Sequence, residues 1–530
     1  MKRRFLALTV AIAWLVGCGG QSSTPAVMQN AMPGSMPMAQ PSAPSNVNEL
    51  PEPPVVRSVN GVAHVSLLVT LSGATGFPAF EYKGNSGVAP TISIKPGDTI
   101  VMDVSDQLLP TKGDKHDISV HFHGLTVSPK APGDDVLGTL AKPGQQLHYV
   151  VHVPKNAEPG LYWYHPHVHG LTNYQVGEGG MSGALVIEGL EQHIPKLAHM
   201  RQRLIIVRDT GIGANAPPDD DRQGDMGGMA GMGGMSAGVD RPQTINSDPC
   251  GPELGLTTTL NGAYQPVITM APGEPQFFRV VNAVGHKTLK LHINGVKMQV
   301  VAIDGYALDS YPGTPPTLTE DSVIIPPAGR AEFVVVGPRA KGATLRTLCF
   351  DSGPTGDRDP NLLLANIEPP QQKQNHAQRP LGPLTVGAPL PQNGYTTELP
   401  PIAARRVAIF SEGSKRFFIN GKAFAITDPP MFVVHTGTVE EWRIVNETQE
   451  THDFHIHQIH FLVKAINGVK VAHPYWADTF IIPHRRSDGH PGTLVMLMDF
   501  RDPVIKGVFI FHCHILDHED AGMMAKIQAI

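Results

Sequence analysis

A short pattern recurs three times along the chain and limits its fold more than any other feature. Each copy is a tight turn, an alternating strand and a second alternating strand. The first copy runs Pro96-Gly97-Asp98, then Thr99 to Val104, then His121-Phe122-His123. The second runs Pro272-Gly273-Glu274, then Phe277 to Asn282, then Leu289-Lys290-Leu291-His292. The third runs Thr436-Gly437-Thr438, then Glu441 to Asn446, then His455-Ile456-His457. Period-two alternation reads as half-buried strand, and the spacing of the copies is that of one small β-domain. The expected fold is therefore all-β, with three Greek-key β-sandwich domains at 57–200, 201–370 and 401–530. A length of 530 residues suits three such cores, and 55 Gly with 49 Pro suits turn-rich β structure better than a helical bundle. Residues 371–400, rich in Pro and Gln, read as the linker into the third domain.

Histidines gather in four clusters along the chain. The apolar run Val508-Phe509-Ile510-Phe511 leads into His512-Cys513-His514. Strand side chains alternate, so Cys513 points away from His512 and His514. His518 follows five residues after Cys513, and Met523 five after that. Cys, His and a weak axial Met are three of the four ligands of a blue-copper site. His452 is the available fourth. It stands an odd number of residues from His455 and His457, and so faces oppositely. Two further pairs, His121-Phe122-His123 and His165-Pro166-His167, complete a set of ten His, one Cys and one Met. A lone His-X-His pair is commonly a surface feature. Four clusters, one of them at blue-copper spacing, are a metal-binding pattern.

These clusters resemble the four copper-binding motifs of the multicopper oxidases, the laccase-like enzymes, and they span the chain from His121 to Met523. The resemblance implies cupredoxin-like domains and four copper ions. His452, Cys513, His518 and axial Met523 would hold type 1 copper, with family spacing favouring Met523 over Met524. His121 and His455 would hold type 2 copper. His123, His165, His167, His457, His512 and His514 would hold the type 3 pair. The implied reaction passes four single electrons through Cys513 and its flanking His to dioxygen, giving two waters. Glu519 matches a family proton donor. Asp134 lies in the neighbourhood of a second, although its spacing departs from the usual one. His169 and His460 extend two motifs and read as neighbours or surface residues, not ligands. Asp453 and Gln458 stand where the family usually has Pro and Gly, which would reshape a loop without removing a ligand. The middle copy lacks a His-X-His pair, so the His-rich cluster is expected between the first and third domains.

The net charge of −6 gives no general footprint for nucleic acid. Met1-Lys2-Arg3-Arg4, the apolar run Phe5 to Val16 and Leu15-Val16-Gly17-Cys18 resemble a bacterial lipoprotein signal, with Cys18 as the lipidated residue. Residues 1–18 are then signal peptide and 19–56 a disordered tether. The chain is expected to be exported and lipid-anchored on the periplasmic side, with the outer membrane as the expected membrane. Cys250 and Cys349 remain; an oxidising compartment permits a disulfide, which the sequence leaves open. Residues 225–235 carry Met226, Met229, Met232 and Met235 among glycines, a flexible stretch bearing four thioethers. Two electron donors compete. Phenols and aromatic amines take the lead. Cu(I), as in copper tolerance, is the alternative the Met stretch suggests, although in cuprous oxidases such an insert lies later in the chain. A non-catalytic envelope copper-binding protein is the third reading.

Overall fold

The computed structural model describes residues 48–110, 116–211, 250–251, 255–370, 384–387 and 399–530. The expected signal peptide with Cys18, the tether up to residue 47, the Met-rich stretch 225–235 and most of the linker lie outside the described residues.

Among the described residues the strands form six sheets, and these fall into three pairs along the chain. The sequence repeat reappears as a repeated pairing. Val62–Leu71 runs parallel to Thr99–Asp106, which runs antiparallel to Gln146–His152. Arg201–Gly211, Pro275–Asn282 and Arg330–Val336 repeat this arrangement. Ile402–Glu412, Thr438–Asn446 and Gly492–Phe500 repeat it again. Each turn places its glycine in the left-handed region, with φ of +93° at Gly97, +80° at Gly273 and +84° at Gly437. A side chain there would be strained, which is why this residue is Gly in every copy. The alternation buries Ile100, Met102 and Val104 in one core and Trp442 and Ile444 in another. Full burial of such a side chain contributes about 1.5–3 kcal/mol.

The second strand of each copy decides where chemistry can occur. His121–His123 pairs with Gly160–His165, with His121 opposite His165. His452–Ile456 lies between Gly507–Cys513 and Thr479–Ile482, with His455 opposite His512 and Phe454 opposite Cys513. In the middle copy, Leu289, Leu291 and Ile293 point into an apolar core.

One expected boundary moves. The tether expected to reach residue 56 gives way to folded chain by residue 48. Glu49 forms a bridge with Val267, and Leu50 is buried among Ile205, Val207 and Ile268. Val55–Arg57 then pairs in parallel with Thr91–Ile94. Three prolines at 51, 53 and 54 made the segment look disordered, but Leu50 fills a core position, Glu49 pairs with Arg203 and Thr269, and the backbone bonds to Val267. Within the expected linker, Leu384 is buried against Leu190 and Ile194. Cys250 and Cys349 form a disulfide with Cα atoms 5.3 Å apart, inside the range a disulfide can span. Cys513 is the free cysteine among the described residues.

Candidate metal centre

Strand parity separates two donor sets. On one face, Sγ of Cys513 lies 3.7 Å from Nδ1 of His452 and 3.8 Å from Nδ1 of His518. The two imidazole nitrogens are 3.1 Å apart. His518 rides on the short helix Leu516–Asp520, which begins three residues after Cys513 and turns the chain back over the thiol. The amide of Cys513 donates to the carbonyl of Met523, and the amide of Met523 to the carbonyl of His518, at 3.0 and 2.9 Å. Met523 and Cys513 share one buried cluster, whereas Met524 packs with Phe424 and Ile510. Burial pushes the free Cys513 thiol well above its ordinary pKa, so a metal must displace its proton.

The other face carries imidazoles from both ends of the chain. His121 stacks on His457 at 3.7 Å between ring centroids, and His123 on His455 at 3.9 Å. Nε2 of His512 lies 3.4 Å from Nε2 of His167 and 3.3 Å from Nε2 of His457. His121, His123 and His165 form a further set whose donor atoms lie within 4.8 Å of one another. His514 joins them, its ring centroid 5.2 Å from that of His123. First-domain and third-domain residues thus meet face to face. Desolvation holds His121, His123, His165, His455, His457 and His514 well below the ordinary imidazole pKa. They are neutral, the form that binds metal.

The donor set itself tests for copper. Nε2 of His121, His165 and His455, Nδ1 of His123 and His457, and both ring nitrogens of His514 are buried without a hydrogen-bond partner. An unsatisfied buried polar atom costs about 1–3 kcal/mol. A fold keeps so many in one place when a ligand satisfies them. Imidazoles on one side of a strand and a thiolate with a nearby thioether on the other suit copper.

Carboxylates surround these rings. Oδ2 of Asp134 lies 2.9 Å from Nδ1 of His121, and Oδ1 accepts from the amide of Phe122. Gln458 donates to Asp134 at 2.5 Å, a role that a glycine there could not fill. Burial pushes Asp134 up to about 7. Glu519 accepts from the Thr172 hydroxyl at 2.9 Å and lies 3.1 Å from Nδ1 of His512. Burial would raise its pKa, but His512 and His167 outweigh burial and hold the carboxyl well below its usual range. Asp453 changes more than loop shape. Its amide donates to Sγ of Cys513 at 3.4 Å, a bond proline could not make.

Several contacts carry no local sequence signal. Asp478 lies 3.1 Å from Nε2 of His123, and its carbonyl is 2.9 Å from Nδ1 of His455. Glu450 lies 3.5 Å from Nε2 of His518, and Phe417 stacks on the His518 ring at 4.0 Å. Of the two extra histidines, His460 is buried with Nε2 2.9 Å from the Asp304 carbonyl, and His169 packs edge-on against Phe424.

Three pairs of β-sheets with such a Cys, His and Met set define an oxidoreductase of cupredoxin build that uses copper. Models of the multicopper oxidase family match residues 82–192, 213–341 and 398–529, well over half of the chain. The chain belongs to the multicopper oxidase family. It is 25% identical to multicopper oxidase mco of Staphylococcus haemolyticus over 84% of this chain and 83% of that one. It is 24% identical to a laccase of Bacillus subtilis over 71% of each. A multicopper oxidase from Campylobacter jejuni, described as a metallo-oxidase, has the same fold, with a TM-score of 0.67 at 22% identity over 92% of this chain and 98% of that one. The chain is a copper oxidoreductase that uses dioxygen and a reducing substrate.

Proposed function

We propose an exported, lipid-anchored oxidase with four coppers that takes single electrons from phenols and aromatic amines and reduces dioxygen to water. The observation that carries this reading is the place of Cys513. It faces His452 and His518, while His512 and His514, its covalent neighbours, belong to the imidazole cluster on the opposite face. Copper supplies one-electron redox steps at the first set and multi-electron dioxygen chemistry at the second. His452, Cys513, His518 and Met523 would hold one ion and the eight clustered imidazoles three. Asp134, near 7, can hold a proton beside His121 at neutral pH. Glu519, beside His512 and His167, is placed to relay a proton toward the cluster.

The Bacillus subtilis relative, a laccase, supports the phenol reading. Cu(I) is the second reading, favoured by the four methionines of 225–235 and by the Glu450 carboxylate beside His518, which suits a cation. The two separate on one comparison. Replacing Met226, Met229, Met232 and Met235 with Ser, at equal bound copper, should lower Cu(I) oxidation several-fold if Cu(I) is the substrate, while phenol turnover holds. An unchanged ratio of the two activities would leave phenols as the substrate class. The lipid anchor rests on Leu15-Val16-Gly17-Cys18. Cys18→Ala should move the protein from the membrane to the soluble fraction, because multiple acyl chains anchor stably where one does not. Wild type found wholly soluble would rule the anchor out.

A further inference from the structure

The middle domain supplies none of the expected copper ligands, yet one of its side chains reaches the imidazole cluster. Arg330 opens the strand Arg330–Val336 in the middle-domain sheet and is fully buried. Its Nη1 and Nη2 donate to Oδ1 and Oδ2 of Asp478 in the third domain, at 2.6 and 2.5 Å. A two-pronged pairing of this kind fixes the carboxylate plane as well as its charge. Oδ1 of Asp478 lies 3.1 Å from Nε2 of His123, so Nδ1 of His123 is the nitrogen left bare. The carbonyl of Asp478 lies 2.9 Å from Nδ1 of His455, so Nε2 is left bare there. Asp478, with the Thr479 hydroxyl beside it, therefore occupies one nitrogen on each of two imidazoles, one from the first domain and one from the third.

The middle domain also grips the backbone at this corner. Oδ2 of Asp304 accepts from the amides of Asp478 and Thr479, at 3.3 Å each, and Oδ1 accepts from the amide of Arg330. The first domain closes the third side. The Arg330 guanidinium lies over the Tyr162 ring, and its Nε donates to the carbonyl of Leu161. The glycine after His123 is part of the same fit. A Cβ on Gly124 would come within 2.6 Å of both Nη2 of Arg330 and Oδ2 of Asp478. Both Asp478 oxygens are engaged by the guanidinium, which fixes this carboxylate against the two imidazoles it orients.

We infer that Arg330 is a positioning residue for the copper cluster, acting through Asp478 to hold His123 and His455 in the orientation that binds metal. This rests on the copper-oxidase reading above. The middle domain then does more than space its neighbours, because it sets the geometry of a site to which it gives no ligand.

The test compares wild type, Arg330→Met and the double variant Arg330→Met with Asp478→Asn, each loaded with copper. Readouts are copper per chain, retention against a chelator, the type 2 paramagnetic signal and the visible thiolate–copper band of Cys513. Losing an outer-shell partner of this kind weakens metal affinity by about 10–100-fold. Arg330→Met should show that loss at the cluster with the Cys513 band intact, which reports an intact third domain. Breaking a buried ion pair can also prevent folding. The double variant removes both charges, while the introduced carboxamide keeps an acceptor for His123. It should fold, show the Cys513 band and remain deficient in cluster copper. Full cluster copper and an unchanged type 2 signal in either variant would overturn the inference, reducing Arg330 to a counter-charge. A wild-type chain without the Cys513 band would overturn the copper-oxidase reading and this inference with it.

Discussion

Cys513→Ser should abolish the intense visible absorption and bring oxidase turnover to background, while the fold and the cluster copper persist. Cys513 is the soft donor of its face and the residue whose flanking His belong to the other donor set. Serine keeps the size but offers a poorly ionised, hard oxygen that binds copper weakly. A buried hydroxyl without a good partner costs about 1–3 kcal/mol on protein scales. That is small beside a third-domain core that includes Trp442, Phe454, Phe461 and Phe511. The imidazoles of His167, His457 and His512 converge without help from the sulfur, so copper counting should show ions still bound there. A variant that remained blue and active would refute the placement of Cys513 at the electron-entry site.

Glu519→Gln should slow dioxygen reduction by about a hundredfold, the lower range for loss of a positioned proton-transfer group. The substitution keeps the side-chain length, and the amide oxygen can still accept from Thr172. It removes a buried charge, so the protein should stay folded and keep its Cys513 band. The loss should fall on reoxidation of the reduced enzyme by dioxygen and leave reduction by substrate unchanged, since the carboxylate lies beside His512 and His167. The pH dependence of reoxidation should change as well, which a purely structural role would not produce. Equal reoxidation rates in variant and wild type would remove Glu519 from proton delivery.

Alternation did most of the work that sequence could do. In a strand, the face of a side chain depends only on whether its position is odd or even. The separation of Cys513 from His512 and His514, and of His452 from His455 and His457, was therefore legible from spacing alone. The three turn glycines were legible for a similar reason, because a left-handed residue leaves a local signature. Composition served less well where a few particular contacts decided the outcome. Leu50 docks a segment whose prolines suggested disorder. What lies around the metal-binding faces required the tertiary structure. Arg330 and Asp478 are 148 residues apart, Gln458 and Asp134 are 324 apart, and Thr172 and Glu519 are 347 apart. Each pair joins different domains, and no period or motif within one strand records such a meeting. Sequence determined which residues can hold copper, since ligand type and strand parity are local. Packing of the domains decided which nitrogen His123 offers, because Asp478 bonds its other nitrogen from a distant part of the chain, whereas at His165 and His512 the carbonyl of the next residue makes that choice.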